Sequence, residues 1–427
     1  PQWSLPRFIR EGGAGTVKLA DAFTLVAGTD RNVGFRAYDG STFGPQDGDA
    51  MLEVTTPRAV EYLAAAPSQL GLARAYVNGD LDIPGDVHET LMRLYPMDTG
   101  HLTLSDKAAL AKSFLPYAFK RPKPPMQERV LGGSRHSKSR DAEAIHHHYD
   151  VSNKFYRLVL GPSMAYTCAV FPDRDATLEI AQEEKFDLVA RKLGLKPGMK
   201  LLDVGCGWGG MVLHAVKNYG VTAIGATLSE QQAIWGQQAI KEAGIENSAE
   251  IRFSDYRDVH EKDFDAISSI GLTEHIGRAN YPSYFSFLFD KLVPEGRLLN
   301  HTITRADDTH PTHYRKSFIN RYVFPDGELC APAVIMNAFN NAGFEIRHEE
   351  NLREHYALTL KHWGENLESH WDEAVAEAGL GTARVWRLYM AASRMGFDLN
   401  TIQLHQMLGV KLGPRGKSGM PLRATFS

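Results

Sequence analysis

The sequence has few cysteines and lacks a long apolar run. Three cysteines, Cys168, Cys206 and Cys330, occur in 427 residues, which excludes a disulfide framework and is typical of a protein in a reducing cytoplasm. The longest apolar stretches, such as 63–66 and 333–336, are far shorter than the roughly 18 to 20 residues of a membrane-spanning helix. Residues 1–13 show no signal-peptide core. We therefore expect a cytoplasmic protein with no transmembrane helix.

A large excess of charge of one sign is also absent. The chain has 47 Lys and Arg against 51 Asp and Glu, a formal net charge of −4, which argues against a general nucleic-acid-binding protein. Hydrophobic residues make up 43% and charged residues 23% of the chain, as in ordinary globular proteins. Its length predicts two or three domains.

Residues 1–118 show the pattern of a small α+β domain. Short apolar clusters predict strands at 17–19, 23–27 and 33–37, and Tyr38-Asp39-Gly40-Ser41 is a typical turn. Helical patterns follow, the first of them opened by Pro57; they cover 57–65, 69–77, 87–95 and 105–115.

Residues 119–140 form a basic stretch rich in Pro and Gly. It contains seven basic residues and one acid, Glu128, and its prolines and glycines disfavour a helix. Two compatible interpretations stay open. The stretch is a solvated hinge between two domains, or it is a segment that lies on anionic lipid, where each cation contributes roughly 1 kcal/mol.

Residues 141–427 alternate between strand and helix patterns. A helical start is followed by strands at 199–204, 221–226, 250–253, 264–270 and 297–303, with helices at 211–219, 230–243 and 281–292 between them. This alternation predicts a doubly wound α/β domain with a parallel sheet. Further helices are expected at 333–342, 360–378 and 382–395.

A glycine loop follows the first of these strands. Leu201–Gly210 reads L-L-D-V-G-C-G-W-G-G, and glycines at such a turn let the backbone approach a ligand at a helix N-terminus. The spacing of Gly205, Gly207 and Gly210 also fits a dinucleotide fingerprint, so it does not choose between cofactors. Asp203 precedes the loop, however, and the second strand ends without an acid. The loop resembles motif I of class I S-adenosylmethionine-dependent methyltransferases.

Further segments narrow this resemblance. The chain is similar to the cyclopropane fatty acid synthase and mycolic acid cyclopropane synthase family over about residues 141–406, and most similar to the actinobacterial branch that makes 10-methylene (10-methyl) fatty acids. The segments that carry the resemblance are, in order, 147–156, 164–169, 205–210, 274–277, 301–303 and 355–360. It implies a Rossmann-like class I methyltransferase sheet with a helical lid, and S-adenosylmethionine as the methyl donor.

The resemblance also implies a catalytic site. In such enzymes an uncharged cis alkene attacks the sulfonium methyl group, and a base then removes a proton from the resulting cation. The base is thought to be a bound bicarbonate, held by side chains that match Cys168, Glu274, His301 and Tyr356 and by the backbone of Ile303.

Some of these residues have structural alternatives. Cys168 also fits a small buried apolar side chain, and Glu274 follows Thr273 at a helix start. Consecutive histidines point in different directions, so we expect no metal site at residues 146–148.

The same resemblance places the cofactor. Tyr166 and Thr167 would lie near its methionine part, and Asp255 also fits an ordinary strand-end acid. Trp208 would stack on the cofactor or simply pack. The other expected contacts are Asp203, Gly205 and Gly207 in the loop, Thr227 and Gln232 at the ribose, and Asp255 and Tyr256 at the adenine.

Three polar residues depart from the cyclopropane-forming pattern. They are Glu143, Thr273 and Asn300, and polar changes near a cation site can redirect the cation. The resemblance favours a 10-methylene product, with cyclopropane ring formation on the same substrate as the alternative. We expect the substrate to be the cis double bond of an oleoyl-type chain in membrane phospholipid, reached at the inner face of the plasma membrane with residues 1–118 as a docking domain.

The expected partners are a second copy of the chain and a separate reductase. The competing classes are a small-molecule methyltransferase and a non-catalytic lipid-binding protein.

Overall fold

The computed structural model describes residues 17–96, 102–129, 151–309 and 317–426. The chain divides into two compact units, Pro1–Met126 and Gln127–Ser427, and the division lies inside the basic stretch 119–140. Glu143 and the three histidines 146–148 lie outside the described residues. Among the described helices, none is both long and apolar enough to cross a bilayer.

The first unit combines helices with a small mixed sheet. In its described part the strands are β1 (Gly34–Ala37), β2 (Thr42–Phe43), β3 (Met51–Val54) and β4 (Leu81–Asp82). Their order is β2-β1-β3-β4, with β1 and β3 parallel and the outer pairs antiparallel. The helices are α1 (Leu19–Ala27), α2 (Pro57–Ala65), α3 (Gln69–Asn78), α4 (Val87–Leu94) and α5 (Leu104–Ala118).

The predicted strands at 17–19 and 23–27 are wrong, because α1 occupies this region. Its first amides are capped from a distant turn: the Leu19 N–H donates to Asp39 Oδ2 and the Ala20 N–H to Ser41 Oγ, both at 3.0 Å. Unpaired amides at a helix start need such partners, and a local strand pattern cannot reveal partners some 20 residues away. The four helices predicted for this unit are confirmed, and α2 has the predicted bounds.

The second unit contains a seven-stranded sheet in its described part. Its strands are β5 (Lys200–Val204), β6 (Thr222–Thr227), β7 (Ala249–Phe253), β8 (Phe264–Ile270), β9 (Leu292–Arg305), β10 (Phe344–Asn351) and β11 (Ile402–Lys411). The order is β10-β11-β9-β8-β5-β6-β7. Neighbouring strands from β7 to β9 run parallel, whereas β11 is antiparallel to both β9 and β10.

Helices cover both faces of this sheet. Neighbouring positions on β5 show the two faces: Leu201 packs with residues of the helices at 178–193, 210–219 and 230–243, while Leu202 packs with residues of the helices at 281–291 and 332–342. The helices are α6 (Asn153–Leu160), α7 (Leu178–Leu193), α8 (Gly210–Tyr219), α9 (Glu230–Ala243), α10 (Thr273–Ile276), α11 (Tyr281–Lys291), α12 (Phe318–Tyr322), α13 (Pro332–Ala342), α14 (Arg353–Ser369), α15 (Trp371–Ala378) and α16 (Leu380–Asp398).

The predicted doubly wound α/β domain is therefore confirmed, and two of its strands were not predicted. β10 reads FEIRHEEN, which is too charged to suggest a strand, and β11 places polar His405 and Gln406 at buried positions. In a doubly wound sheet, ligands bind at the carboxyl ends of the parallel strands. The loops after β5, β6, β7 and β8 lie at that edge.

Candidate active site

The glycine loop after β5 turns sharply through left-handed backbone. Gly205, Gly207 and Gly209 have φ of 71°, 55° and 88°, a region that favours glycine. A Cβ at Gly207 would have no heavy atom within 4 Å, whereas one at Gly209 would lie 2.2 Å from Ile251 Cδ1. Gly207 thus faces open space at the start of α8, and Gly209 allows α8 to pack closely.

Asp203 and Lys185 are two buried charged residues beside this loop. Asp203 accepts a hydrogen bond from Ser268 Oγ at 2.7 Å, and Lys185 Nζ donates to Thr167 Oγ1 at 2.7 Å. Burial raises the pKa of Asp203 to about 7 and lowers the pKa of Lys185 to about 7. Sequence reasoning missed Lys185, although its position on the buried stripe of α7 was a usable signal, with Lys192 seven residues further on.

The predicted ribose contacts lie after β6. Thr227 Oγ1 donates to Gln232 Oε1 at 2.7 Å. Gln232 Nε2 is buried and has no hydrogen-bond partner within the described chain. A buried amide donor without a partner is costly unless a ligand accepts its hydrogen bond.

Asp255 takes the arrangement of a strand-end acid. Its carboxylate accepts bonds from Arg257 Nε at 2.7 Å and Nη2 at 2.6 Å, and it caps the 3₁₀ turn Tyr256–Asp258. The Tyr256 ring packs edge-on against Tyr284 and Phe287 at 5.2 and 5.5 Å. Contact of Asp255 and Tyr256 with the adenine stays a prediction.

Tyr166 and Trp208 lie in an aromatic cluster. The Tyr166 hydroxyl donates to that of Tyr389 at 3.1 Å, and Trp208 Nε1 donates to Asn153 Oδ1 at 2.9 Å. The Tyr156 ring lies 4.8 Å from Trp208 and 5.7 Å from Tyr166. Trp208 is therefore packed against α6.

Cys168 and Tyr356 meet at one backbone carbonyl. The Leu352 oxygen accepts the Tyr356 N–H at 3.2 Å and lies 3.9 Å from Cys168 Sγ, which also donates to the Ala169 oxygen at 3.2 Å. Burial raises the pKa of the Cys168 thiol, and the nearby Lys185 opposes this shift. Cys168 is therefore a neutral thiol at pH 7. The Tyr356 ring packs 4.5 Å from Phe397.

Glu274 and Ile303 are in direct contact. Glu274 lies on α10, immediately after β8, and its Oε1 accepts the Ile303 N–H at 3.0 Å. Its Oε2 is buried without a hydrogen-bond partner among the described residues. Burial raises the pKa of Glu274, and the Ile303 N–H counteracts this only in part. Glu274 is therefore protonated more readily at this site than a glutamate side chain in water.

His301 lies on β9 and is almost fully buried. Gln406 Nε2 lies 3.2 Å from its Nδ1, and its Nε2 has no hydrogen-bond partner within the described ranges. Burial and the charges of Lys185 and Lys192 lower the pKa of His301 well below its usual value. The imidazole is therefore neutral.

Strand pairing connects these predicted catalytic residues. Ile303 pairs with Leu404 on β11, and the Leu404 oxygen accepts the Leu352 N–H at 2.8 Å. A series of contacts therefore runs from Glu274 to Ile303, from Ile303 to Leu404 and from Leu404 to Leu352. The Leu352 carbonyl contacts both Cys168 and the Tyr356 N–H. Contacts with main-chain atoms thus connect the segments that carry Glu274, Ile303, Cys168 and Tyr356, and His301 lies two residues before Ile303 on the same strand.

Thr273 and Asn300 form a buried polar pair beside this constellation. Thr273 Oγ1 donates to Asn300 Oδ1 at 2.5 Å, and both residues are fully buried. Asn300 Nδ2 has no hydrogen-bond partner in the part of the chain that the structure describes. These two departures from the cyclopropane-forming pattern are thus adjacent to Glu274 and His301 in sequence and bonded to each other.

The strand order and the loop after β5 define a class I methyltransferase fold. Solved structures that share it include a cyclopropane synthase from Mycobacterium tuberculosis (TM-score 0.60, 33% identity, covering 64% of this chain and 99% of that one) and a mycolic acid cyclopropane synthase complexed with SAH and CTAB (TM-score 0.59, 34% identity, 63% and 98%).

Sequence comparison identifies the family. The chain belongs to the family described as mycolic acid cyclopropane synthetase, whose profile matches residues 136–407. It is 52% identical to a probable fatty acid methyltransferase of Mycobacterium tuberculosis, over 96% of this chain and 98% of that relative. A probable fatty acid methyltransferase of Pseudomonas putida is 38% identical over 90% and 93%. The predicted family, fold class and enzyme class, an S-adenosylmethionine-dependent methyltransferase, are confirmed.

Proposed function

We propose that this enzyme methylates the cis double bond of an oleoyl-type acyl chain in membrane phospholipid and makes a 10-methylene product. The observation that carries the proposal is the buried constellation of Cys168, Glu274, His301 and Tyr356, in which the Cys168 thiol and the His301 imidazole are neutral, because a cationic intermediate needs a site that excludes water. The names of the two fatty acid methyltransferases similar to this chain agree with an acyl substrate.

The loops after β5 and β6 fit S-adenosylmethionine, which supplies an electrophilic methyl group when bound. Gly207 offers a backbone that a ligand can approach closely, and Gln232 offers a buried donor in need of an acceptor. Asp203 and Thr227 lie at the ends of the same two strands. These residues bind and orient the donor.

The constellation around Glu274 and His301 fits a small oxyanion, which we propose to be bicarbonate. Glu274 Oε2 and His301 Nε2 are buried polar atoms without partners in the described chain. A neutral imidazole offers the hydrogen-bond donor that an anion requires, and the raised pKa of Glu274 favours a carboxyl group that shares a proton with the anion. When bound there, bicarbonate would supply the base that the catalytic step needs.

Thr273 and Asn300 favour the methylene product. Methyl transfer places a positive charge on the neighbouring carbon, and the oxygen dipoles of this buried pair stabilise such a charge in a water-free site. A longer-lived cation allows a hydride shift before a proton leaves the new methyl group, which gives the exocyclic methylene. Proton loss without the shift closes a cyclopropane ring. That alternative is supported by the two cyclopropane synthases that share the fold.

The proposal is tested by the fatty acids of a host that expresses the enzyme and is fed oleate. We expect vinylidene proton signals and a mass increase of one methylene group, both absent from a host expressing Glu274→Gln. Cyclopropane proton signals without vinylidene protons would contradict the proposal and support ring closure. Methylation of soluble phenols or amines, with no change in lipids, would support a small-molecule methyltransferase.

We also propose that the first unit docks on anionic lipid. Helix α5 has no buried residue, and large apolar side chains are exposed on it and just after it: Leu104, Leu115, Phe119 and Met126. Lys107, Lys112, Lys120, Arg121 and Lys123 are exposed in the same segment. Exposed apolar and cationic side chains together suit an interfacial helix.

Vesicle sedimentation tests this docking. Binding to phosphatidylglycerol vesicles should weaken with salt and should fall in a Leu115→Ser/Phe119→Ser variant. Leu422→Ser removes an even more exposed apolar side chain from the second unit and should leave binding unchanged. Salt-insensitive binding would instead support a plain hinge.

A further inference from the structure

A row of polar side chains crosses three neighbouring strands next to the catalytic constellation. Glu350 on β10 pairs with Gln406 on β11, and Gln406 pairs with His301 on β9. Directly paired residues project on the same face of a sheet. Lys192 of α7 lies against this row: its Nζ donates to Gln406 Oε1 at 2.7 Å and to Glu350 Oε2 at 2.5 Å.

The chemistry of Lys192 decides the orientation of Gln406. An ammonium group only donates hydrogen bonds, so the amide oxygen of Gln406 must face Lys192. The Gln406 NH₂ group then faces His301 and donates to Nδ1 at 3.2 Å. Burial lowers the pKa of Lys192, and the adjacent Glu350 carboxylate opposes that shift and keeps the ammonium paired.

The orientation of Gln406 decides in turn which His301 nitrogen carries the proton. A neutral imidazole has one N–H and one lone pair. Since Nδ1 accepts the bond from Gln406, the proton lies on Nε2, the buried atom that has no partner in the described ranges. The ring has no lone pair left to face the reacting carbon.

We propose that Lys192 and Gln406 are positioning residues that hold His301 as the Nε2–H tautomer, so that His301 donates to the bound oxyanion and does not take the substrate proton. The identity of the oxyanion rests on the proposed function, whereas the tautomer follows from the geometry alone. A carbonyl or another acceptor in place of Gln406 would select the opposite tautomer.

Long-range ¹H–¹⁵N NMR of protein labelled at histidine nitrogens reads the tautomer without any turnover. His301 is assigned by the signals lost in His301→Asn. We expect the Nε2–H pattern in the wild type and a switch to Nδ1–H in Gln406→Glu, because a carboxylate accepts a hydrogen bond from Nδ1–H. An Nδ1–H or imidazolium pattern in the wild type at neutral pH would overturn the proposal.

Gln403→Glu is the matched control. Gln403 also lies on β11 and also bonds a histidine, His405, through its Oε1 at 3.0 Å. This variant should leave the His301 signals and the turnover unchanged. Gln406→Glu should lower kcat by roughly 10²-fold, as for loss of one preorganised donor, while the affinity for S-adenosylmethionine is kept. Full activity in Gln406→Glu would contradict the proposal.

Lys192→Met covers the case in which Gln406→Glu fails to fold. Without the ammonium, Gln406 is released to rotate, and we expect both tautomers in the NMR spectrum and partial activity. An unchanged single Nε2–H tautomer would show that Lys192 does not orient Gln406. If the wild-type enzyme makes no methylated lipid, the proposed function fails, but the tautomer experiment still decides this inference.

Discussion

The two halves of the large sheet assemble their polar groups in opposite ways. In the half formed by β5, β6 and β7, the side chains after β6 and β7 bond partners close in sequence: Thr227 bonds Gln232 and Asp255 bonds Arg257, while Asp203 on β5 bonds Ser268 on β8. In the half formed by β8, β9, β11 and β10, several partners are far more distant. Contacts from Cys168 to Leu352, from Lys192 to Gln406 and from His301 to Gln406 span 184, 214 and 105 residues. We infer that loops in the first half bind the methyl donor. In the second half, pairing of strands that are distant in sequence places the side chains that take part in the reaction.

Glu274→Gln should have the largest effect on turnover. It should impair the reaction in the second half and leave binding of the methyl donor in the first half unchanged. The Gln amide cannot exchange a proton with the oxyanion as a carboxyl group can, while its oxygen preserves the bond to the Ile303 N–H. We expect kcat to fall by about 10²- to 10³-fold, with unchanged affinity for S-adenosylmethionine by calorimetry. Glu365→Gln, at an exposed position on α14, is the control. An equal loss of affinity for S-adenosylmethionine would show that binding of the methyl donor and catalysis are not divided between the two halves.

Gly207→Ala and Gly209→Ala should have different effects within the first half. The first should mainly weaken binding of S-adenosylmethionine, and the second should mainly lower the stability of the fold. Gly207→Ala meets no neighbouring atom and costs roughly 1–2 kcal/mol for its left-handed backbone. We expect it to weaken binding of the donor about tenfold, or ~1.4 kcal/mol. Gly209→Ala also clashes with Ile251 and should lower the thermal midpoint more. Equal donor affinity in wild type and Gly207→Ala would contradict the role of this loop.

Thr273→Val/Asn300→Leu should change the product rather than the rate. Removing both partners avoids leaving a buried polar group unpaired, so stability should change little. We expect the ratio of cyclopropane to methylene product to rise about fivefold, equivalent to ~1 kcal/mol, by mass spectrometry and NMR. Gly207→Ala should leave that ratio unchanged. A constant ratio in the double variant would exclude these residues as the product determinant.

Lys185 lies where the halves meet, and its buried amine should make stability depend on pH without a part in the chemistry. Its pKa is lowered to about 7 by burial, so between pH 7 and about 10 the unfolded chain binds more protons than the folded one. Stability from this group therefore increases as pH rises through that window, by at most about 1.4 kcal/mol per pH unit. Calorimetry at pH 7, 8 and 9 should show the wild-type midpoint rising relative to Lys185→Met. A constant difference would contradict the lowered pKa.

The contrast between the halves also explains what the sequence could predict. The first half was predictable because Asp203, Gly205 and Gly207 lie in one short loop whose function depends on glycine spacing. Cys168, Glu274, His301 and Tyr356 were found in the second half only through family resemblance. No spacing rule connects these four residues, because successive members of the set lie 27 to 106 positions apart.

The remaining features depend on burial that no local pattern shows. Lys185 and Lys192 occupy the buried stripe of α7, where lysine is normally exposed. Gln406 lies in a strand whose polar residues hid it from strand prediction. Helix α1 was missed for a related reason, since its caps come from a turn about 20 residues later.

The late position of β11 has a consequence for biosynthesis. This strand lies between β9 and β10 and supplies Gln406, yet it follows the glycine loop by some 200 residues. At about 5 to 20 residues per second, the ribosome takes roughly 10 to 40 seconds to synthesise that interval. β9 ends at Arg305, about halfway through that interval, and from then until β11 is made the edge of β9 is open and His301 lacks its partner. The nascent enzyme can complete its donor-binding loop early, but it cannot become active until its last strand has been inserted into the sheet.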